Sequence, residues 1–216
     1  MTTRPIIFSA PMVRAILQEI EMPGAGKTQT RRVLRDGAPP PYTKGDLLWV
    51  RETFVIEENI EYRRHEHEPL PTDRPIKVHD YGPDWGKGDL IPHYRATEPE
   101  PHIVSDAAFA AGDDRTRWTS PHFMPKWASR ITLDVLDVRI ERLRAICEDD
   151  ARREGVGAVE EFAELWDSLN VNRDGGAYGW EKNPFVTVIT FRPYCMNVDA
   201  LPFLRALECA QALPAS

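Results

Sequence analysis

Apolar positions follow a few kinds of spacing along this chain, and each kind predicts an element. Pro5-Ile-Ile-Phe-Ser9 is a short apolar run that reads as a buried strand. Met12, Ile16, Leu17 and Ile20 then recur at helical spacing, which predicts a helix over 11–20 with Ser9 as its cap and Pro11 in its first turn. Pro23-Gly-Ala-Gly26 ends it. Leu47-Leu-Trp-Val-Arg-Glu-Thr-Phe-Val-Ile56, after the Gly45-Asp46 turn, reads as one strand. From Ile131 to Leu143 apolar residues alternate with a phase slip, as in a strand with a bulge or in two strands meeting at Asp137. Glu148–Glu154 predicts a short charged helix stopped by Gly155, and Val159, Phe162, Leu165, Trp166 and Leu169 mark a longer amphipathic one. Asn172–Gly179 is a glycine-rich turn, and the near-continuous apolar run Asn183–Phe191 has the character of a central strand. Leu201–Leu213 predicts a last amphipathic helix. The strands outnumber what a doubly wound parallel sheet needs, so the expected fold is α+β: a small mixed or antiparallel barrel flanked by helices.

Residues 57–122 break the pattern. They carry all six histidines, many prolines and charges, and only short strand-like pieces at Ile76–Val78 and Pro92–Ala96. Too few apolar residues lie there to build a core, so the expectation is a long polar insertion, about 57–119, rather than a second domain. The organisation expected is one domain over 1–193 carrying that insertion, followed by a tail or helix over 194–216.

Charge and composition narrow the function classes. Lys and Arg number 27 against 34 Asp and Glu, a net charge of −7. A protein that coats duplex nucleic acid is basic over much of its surface, so any nucleic-acid role here needs a local positive site or a small ligand. No stretch approaches the roughly 18 unbroken apolar residues of a membrane span. Residues 1–8 contain no long apolar signal core. Cys147, Cys195 and Cys209 are far apart with no CxxC spacing, which points to a reduced, cytoplasmic protein. The histidines match no helix-face ligand pair, and no metal or cofactor is assigned.

Pro23-Gly-Ala-Gly-Lys-Thr28 looks like a phosphate-binding loop but lacks its first glycine, that position being Glu21, and follows a helix instead of a strand. The densest candidate chemistry is Lys27-Thr28-Gln29-Thr30-Arg31-Arg32. Thr30 offers a hydroxyl nucleophile that needs a neighbouring base, and Lys27 serves as one only if its pKa is lowered by burial or by Arg31 and Arg32. The bland alternative is a solvated basic loop paired with the acidic excess elsewhere. Trp49, Trp127 and Tyr94 are candidates for stacking on a base. Trp49 alternates with Leu48 and Val50 and reads as packing, Trp166 as core, while Trp127, between Lys126 and Arg130, favours a binding face. Arg51 and Glu52 are placed at the cleft mouth.

Gly26-Lys-Thr-Gln-Thr-Arg-Arg32 after a short helix, Gly45-Asp-Leu-Leu-Trp-Val50 opening a strand, Glu148–Glu154 after a strand and the Val186–Phe191 strand together resemble the ASCH domain, a PUA-like barrel. Leu48-Trp-Val-Arg-Glu-Thr-Phe54, Met124-Pro-Lys-Trp-Ala-Ser-Arg-Ile131 and Leu165-Trp-Asp-Ser168 resemble longer ASCH-like proteins of phages and prophages. The resemblance covers 5–56 and 120–193. It implies a barrel cleft that takes a nucleoside, nucleotide or RNA. One branch of the family removes the acetyl group of N4-acetylcytidine without metal, and its catalytic Lys-x-x-Thr pair and glutamate fall on Lys27, Thr30 and Glu154. In that chemistry Lys27 draws the proton from Thr30, whose oxygen attacks the exocyclic amide. Arg32 or backbone N–H groups would stabilise the oxyanion, while Glu154 shuttles a proton or holds Lys27. Thr28, Arg31, Arg32, Arg51, Glu52, Trp127 and Arg130 are expected to line the ligand site. Other branches imply a non-catalytic RNA- or modified-base-binding module, or an RNA-cleaving enzyme.

Overall fold

The computed structural model describes residues 2–35, 37–58, 90–99 and 116–201. The strand-like piece Ile76–Val78, most of the polar insertion and the helix expected after Leu201 lie outside the described residues. The fold is α+β, with seven strands in sheets and three α-helices among the described residues. In order these are β1 (Thr3–Ile7), α1 (Ala10–Glu21), β2 (Gln29–Val33), β3 (Leu47–Arg51), β4 (Phe54–Glu58), β5 (Leu90–Tyr94), β6 (Thr132–Arg142), α2 (Glu148–Arg153), α3 (Val159–Asn170) and β7 (Phe185–Tyr194). No helix among the described residues is long and apolar enough to cross a membrane.

The chain divides into two compact units. The first comprises Met1–Ile6, Pro11–Val50 and Ser129–Ser216; the second comprises Ile7–Ala10 and Arg51–Ala128.

The first unit is organised by a five-stranded sheet in the order β1-β3-β6-β7-β2. No closed barrel is found among the described residues; β1 and β2 are the edges of the ladder. The sheet is mixed. Leu47 N–H bonds Thr2 O near one end of β1 and Phe8 N–H bonds Arg51 O beyond the other, so β1 and β3 run parallel. The remaining neighbours pair antiparallel. The phase slip in β6 is one strand with a bulge: its register against β7 shifts between Val135 and Asp137, and Leu136 is the extra residue, exposed.

Buried apolar residues lie on both faces of the sheet, Val186 and Val188 on one and Ile189 and Phe191 on the other. Val186 and Val188 of β7 pack with Leu143, Ile146, Ala151, Phe162 and Trp166, which binds α2 and α3 to one face. The helical stripe of α3 is therefore real, although Leu169 is exposed and Asn170 is buried instead. Further along the same face by register, Leu47 and Trp49 of β3 pack with Val198 and Leu201, so Trp49 is packing as expected. Leu48 and Val50, pointing the other way, are buried too. A strand covered on both sides reads as an unbroken apolar run.

In the second unit β4 and β5 form an antiparallel ribbon, with Phe54 also bridged to Thr119. The single strand expected over Leu47–Ile56 is thus two. Glu52 and Thr53 separate them, and the Glu52 N–H is turned onto Met124 Sδ at 3.4 Å. Phe54, Tyr94, Met124 and Ala128 make this unit's apolar cluster, with Trp127 and Ile56 against it.

Candidate functional site

Residues 27–35 are not a solvated loop. Gln29–Val33 is a strand paired along its length with β7, and Lys27, Gln29, Thr30 and Arg31 are all buried. The approach to it depends on Gly26. A Cβ there would lie 2.2 Å from Ala15 O and 2.4 Å from Glu19 N, so only glycine lets the chain cross α1 this closely. The Glu19 carboxylate accepts hydrogen bonds from the Gly24 and Gly26 N–H groups. The glycine loop is thus closed on its own helix and leads into a strand, unlike a phosphate-binding loop.

Lys27 is fully buried and reaches the end of α2, where its Nζ donates to Glu154 Oε2 at 2.6 Å and to Glu154 O at 2.7 Å. It therefore pairs with a carboxylate and caps the negative end of a helix at once. Gly155, at φ +85°, turns the chain away just after this contact, and a Cβ there would sit 3.0 Å from Ala15 Cβ and 3.2 Å from Lys27 Cβ.

Arg31 lies on the same side. Its Nη1 donates to Glu154 Oε1 at 3.0 Å, and its Nη2 donates to Asp150 Oδ2 and Glu141 Oε1, each at 2.7 Å. Arg139 of β6 completes the group, donating to Glu141 Oε2 and Asp150 Oδ2 at 3.0 Å. Three cations, Lys27, Arg31 and Arg139, thus face three carboxylates, Glu141, Asp150 and Glu154. The Gln29 amide oxygen accepts from Arg139 at 3.5 Å. Its Nε2 is buried and has no hydrogen-bond partner among the described residues.

Burial pushes the Lys27 ammonium below its ordinary 10.5; Glu154 pulls it back, and Arg32 and Arg31 push it further down. Burial would raise the Asp150 carboxyl, but the Arg31 hydrogen bond and charge, with Gln29 and Arg139, outweigh it and hold Asp150 below its ordinary 3.8. A buried amine with a lowered pKa, 2.6 Å from a carboxylate, can hold and pass a proton.

The structure therefore brings together Lys27, Arg31 and Glu154 from the expected set. It does not join Thr30 to them. Successive side chains of a strand point to opposite faces, so Thr30 and Arg32 lie on the side of β2 away from Gln29 and Arg31. Arg31, expected to meet ligand, is engaged by three carboxylates and acts as a bolt between β2, β6 and α2. Thr28 contributes backbone, its N–H bonding Arg153 O at 2.9 Å and its carbonyl accepting from Phe191 N at 2.8 Å. Arg32 is half-buried, and burial pushes its guanidinium below the ordinary value; Tyr42 and Glu154 raise it, and Arg173 lowers it.

Arg51, Glu52 and Trp127 belong to the second unit, where Arg51 Nη1 donates to His122 O at 3.3 Å and Glu52 is buried. Trp127 was expected on a binding face; it packs against the Phe54 cluster. Tyr94, a stacking candidate, is buried in that cluster with its hydroxyl on Ala128 O at 2.7 Å. Arg130 is half-buried in the first unit.

Sequence reasoning missed Glu141, Asp150 and Arg139. Asp149-Asp150 reads as helix-start charge, and Asp149 is that, but Asp150 is 7% exposed. The available signal was the period-two placement of Arg139 and Glu141 in a strand flanked by apolar partners. Compared with known proteins, the chain matches no family model, no curated protein and no solved structure.

Proposed function

We propose that this chain is an ASCH-like module of PUA-like barrel type that binds a nucleoside, nucleotide or RNA. The observation that carries the reading is the Lys27–Glu154 pair. Two residues 127 positions apart, singled out together by the resemblance, meet at 2.6 Å in a buried site where Lys27 is depressed by burial. A structural pin alone would account for the contact. The reading draws its support from the coincidence of that contact with the ordered set of motifs around it.

Hydrolysis of an N4-acylated cytidine is the sharper form. In it the Thr30 oxygen attacks the amide carbonyl, its proton passes through the Lys27–Glu154 pair to the exocyclic nitrogen, which leaves as the amine of cytidine, and a water then cleaves the Thr30 ester to release the carboxylic acid and restore the hydroxyl. Such transfer works at about 2.6–3.2 Å, directly or through one water. The placement of Thr30 across the strand from Arg31 favours the other form, a module that binds without turnover.

Incubation with N4-acetylcytidine, followed by chromatography, is run beside calorimetric titration with cytidine and N4-acetylcytidine. Cytidine formed by the wild type and lost in Thr30→Val, with unchanged thermal unfolding, supports hydrolysis. Binding without product supports the module. Neither binding nor product, for these ligands or an RNA oligomer, overturns the reading.

A further inference from the structure

The guanidinium of Arg31 is held from several sides. Glu141 of β6 and Asp150 of α2 each accept from its Nη2 at 2.7 Å, and Glu154, just after α2, accepts from its Nη1 at 3.0 Å. Its central carbon lies 5.7 Å from the centre of the Phe162 ring of α3. An arginine that serves only as a fastening gains most by setting two nitrogens side by side on one carboxylate. Arg31 instead divides its terminal nitrogens among three, and its buried Nε has no hydrogen-bond partner among the described residues. That division leaves a donor unmet, at a cost in stability, and gives Glu154 one contact with Arg31 rather than two. Oε1 of Glu154 goes to Arg31, and Oε2 goes to Lys27 Nζ at 2.6 Å.

This arrangement fixes the amine. With one oxygen on Arg31 and the other on Lys27, the Glu154 carboxylate cannot turn without losing both. The Lys27 nitrogen has three positions beyond its carbon, and Glu154 takes two, through Oε2 and through its backbone carbonyl at 2.7 Å. The third carries an N–H when Lys27 is charged and a lone pair when it is neutral. A charged Lys27 presents a donor suited to a phosphate or carbonyl oxygen, and a neutral one presents a base, acting directly or through one water. The charges around the amine set which form a ligand meets. Glu154 favours the charged form, whereas burial, Arg32 and Arg31 favour the neutral one. Arg31 is in turn offset by Glu141 and Asp150, and these by Arg139, whose side chain is 36% exposed. The buried amine is thus linked through Arg31 to charges that reach the surface. All of these groups belong to the first unit.

We infer that Arg31 is a positioning residue of the Lys27 site: held by Glu141, Asp150 and the Phe162 ring, it orients the Glu154 carboxylate and sets whether Lys27 meets a ligand as a hydrogen-bond donor or as a base. This role rests on the nucleic-acid reading proposed above for the ligand that Lys27 meets, while the electrostatics belong to the cluster itself. The expected effects have definite signs. Without the Arg31 charge Lys27 holds its proton more tightly, because Glu154 is left to Lys27 alone. Without the Glu141 charge Lys27 holds its proton less tightly, because Arg31 is less compensated and acts more strongly on Glu154 and Lys27. A purely structural role gives no such pair of opposite signs, since both substitutions would only loosen the packing of α2.

The test is an NMR pH titration of the Lys27 side chain, observed at an isotope-labelled ε-carbon. The other lysines, Lys44, Lys77, Lys87, Lys126 and Lys182, are replaced by arginine so that Lys27 gives the one signal. Arg31→Met and Glu141→Gln are compared in that background, with circular dichroism melting as the fold control. The expected midpoint rises by about one pH unit in Arg31→Met and falls by up to about one unit in Glu141→Gln, a unit being tenfold in proton affinity. Arg31→Met breaks buried pairs and is the variant more prone to unfold; Glu141, whose side chain is 18% exposed, tolerates Gln and carries the test by itself. Calorimetric titration with cytidine and N4-acetylcytidine over the same pH range reads the ligand in parallel, and the pH dependence of binding moves with the Lys27 midpoint. Midpoints that stay fixed in folded variants, or that move the same way, overturn the positioning role and leave the nucleic-acid reading standing. Binding whose pH dependence ignores a shifted midpoint overturns it as well. Opposite shifts in a protein that binds neither nucleoside nor an RNA oligomer support the coupling through Arg31 and overturn the nucleic-acid reading alone.

Discussion

Replacing Arg31 by methionine removes the one side chain that touches Glu141, Asp150 and Glu154 at once, at 2.7, 2.7 and 3.0 Å. The Asp150 and Glu154 side chains are 10% and 3% exposed, so water cannot replace the lost partner. Lys27 still holds Glu154 and Arg139 still holds Asp150, but two cations then face three carboxylates. Breaking a buried pair by deleting one partner costs about 3–5 kcal/mol, a large share of a typical stability of about 5–15 kcal/mol. The exposed Arg152–Asp149 pair, 62% and 75% exposed, gives the contrast: Arg152→Ala changes stability by less than about 1 kcal/mol. Urea unfolding followed by far-UV circular dichroism measures both, with the m-value checked for constancy. The pH dependence has a fixed sign. Asp150 is held below its ordinary 3.8, so its contribution is present above that value and lost as pH falls through the folded value. Most of that depression comes from Arg31, so the penalty of Arg31→Met is largest near neutrality and shrinks as the pH falls to about 4 and below. A penalty under about 1 kcal/mol at pH 7, or one that grows toward acid, refutes the view that this cluster fastens α2 to the sheet through charge.

Other expectations can be checked independently. The Thr187 hydroxyl is fully buried with no hydrogen-bond partner among the described residues, so Thr187→Val keeps the shape, removes the unsatisfied group and stabilises by about 1–2 kcal/mol; a loss of stability would show that the hydroxyl is bonded. His93 lies between Glu98, 2.6 Å from Nδ1, and Glu57, 2.9 Å from Nε2. Burial lowers its pKa, but the hydrogen bonds and charges of Glu98 and Glu57 outweigh this and hold it above 6.5. The β4–β5 ribbon therefore gains from His93 fully below pH 6.5 and loses that gain as pH rises through the folded value, and an NMR titration midpoint at or below 6.5 would contradict the contact.

How much of this was legible in the sequence depends on what each buried position holds. Apolar spacing carried α1, α3, β7 and the bulged β6, because their cores are filled by side chains with one job. It failed at β2. Gln29-Thr-Arg-Arg-Val33 has no apolar alternation, since the positions facing α2 hold Gln29 and Arg31, and the group that makes their burial tolerable comes from Glu141, Asp150 and Glu154, more than a hundred residues away. A charge that is buried and paired leaves the same letter in the sequence as a charge in water. Only the partner distinguishes them, and the partner is set by sheet register. The Lys27–Glu154 contact came from resemblance to a set of motifs, where spacing alone had nothing to offer. The same blindness explains Tyr94, which reads as a stacking aromatic yet is buried in the Phe54 cluster, while Phe185 passes as one more apolar residue of a central strand although it is exposed. Period two sorted these residues onto faces; the topology decided which face had something to cover it. The two arginines Arg31 and Arg32, adjacent and identical in type, show this most directly. One is enclosed by three carboxylates, and the other is turned to the face that carries Phe185.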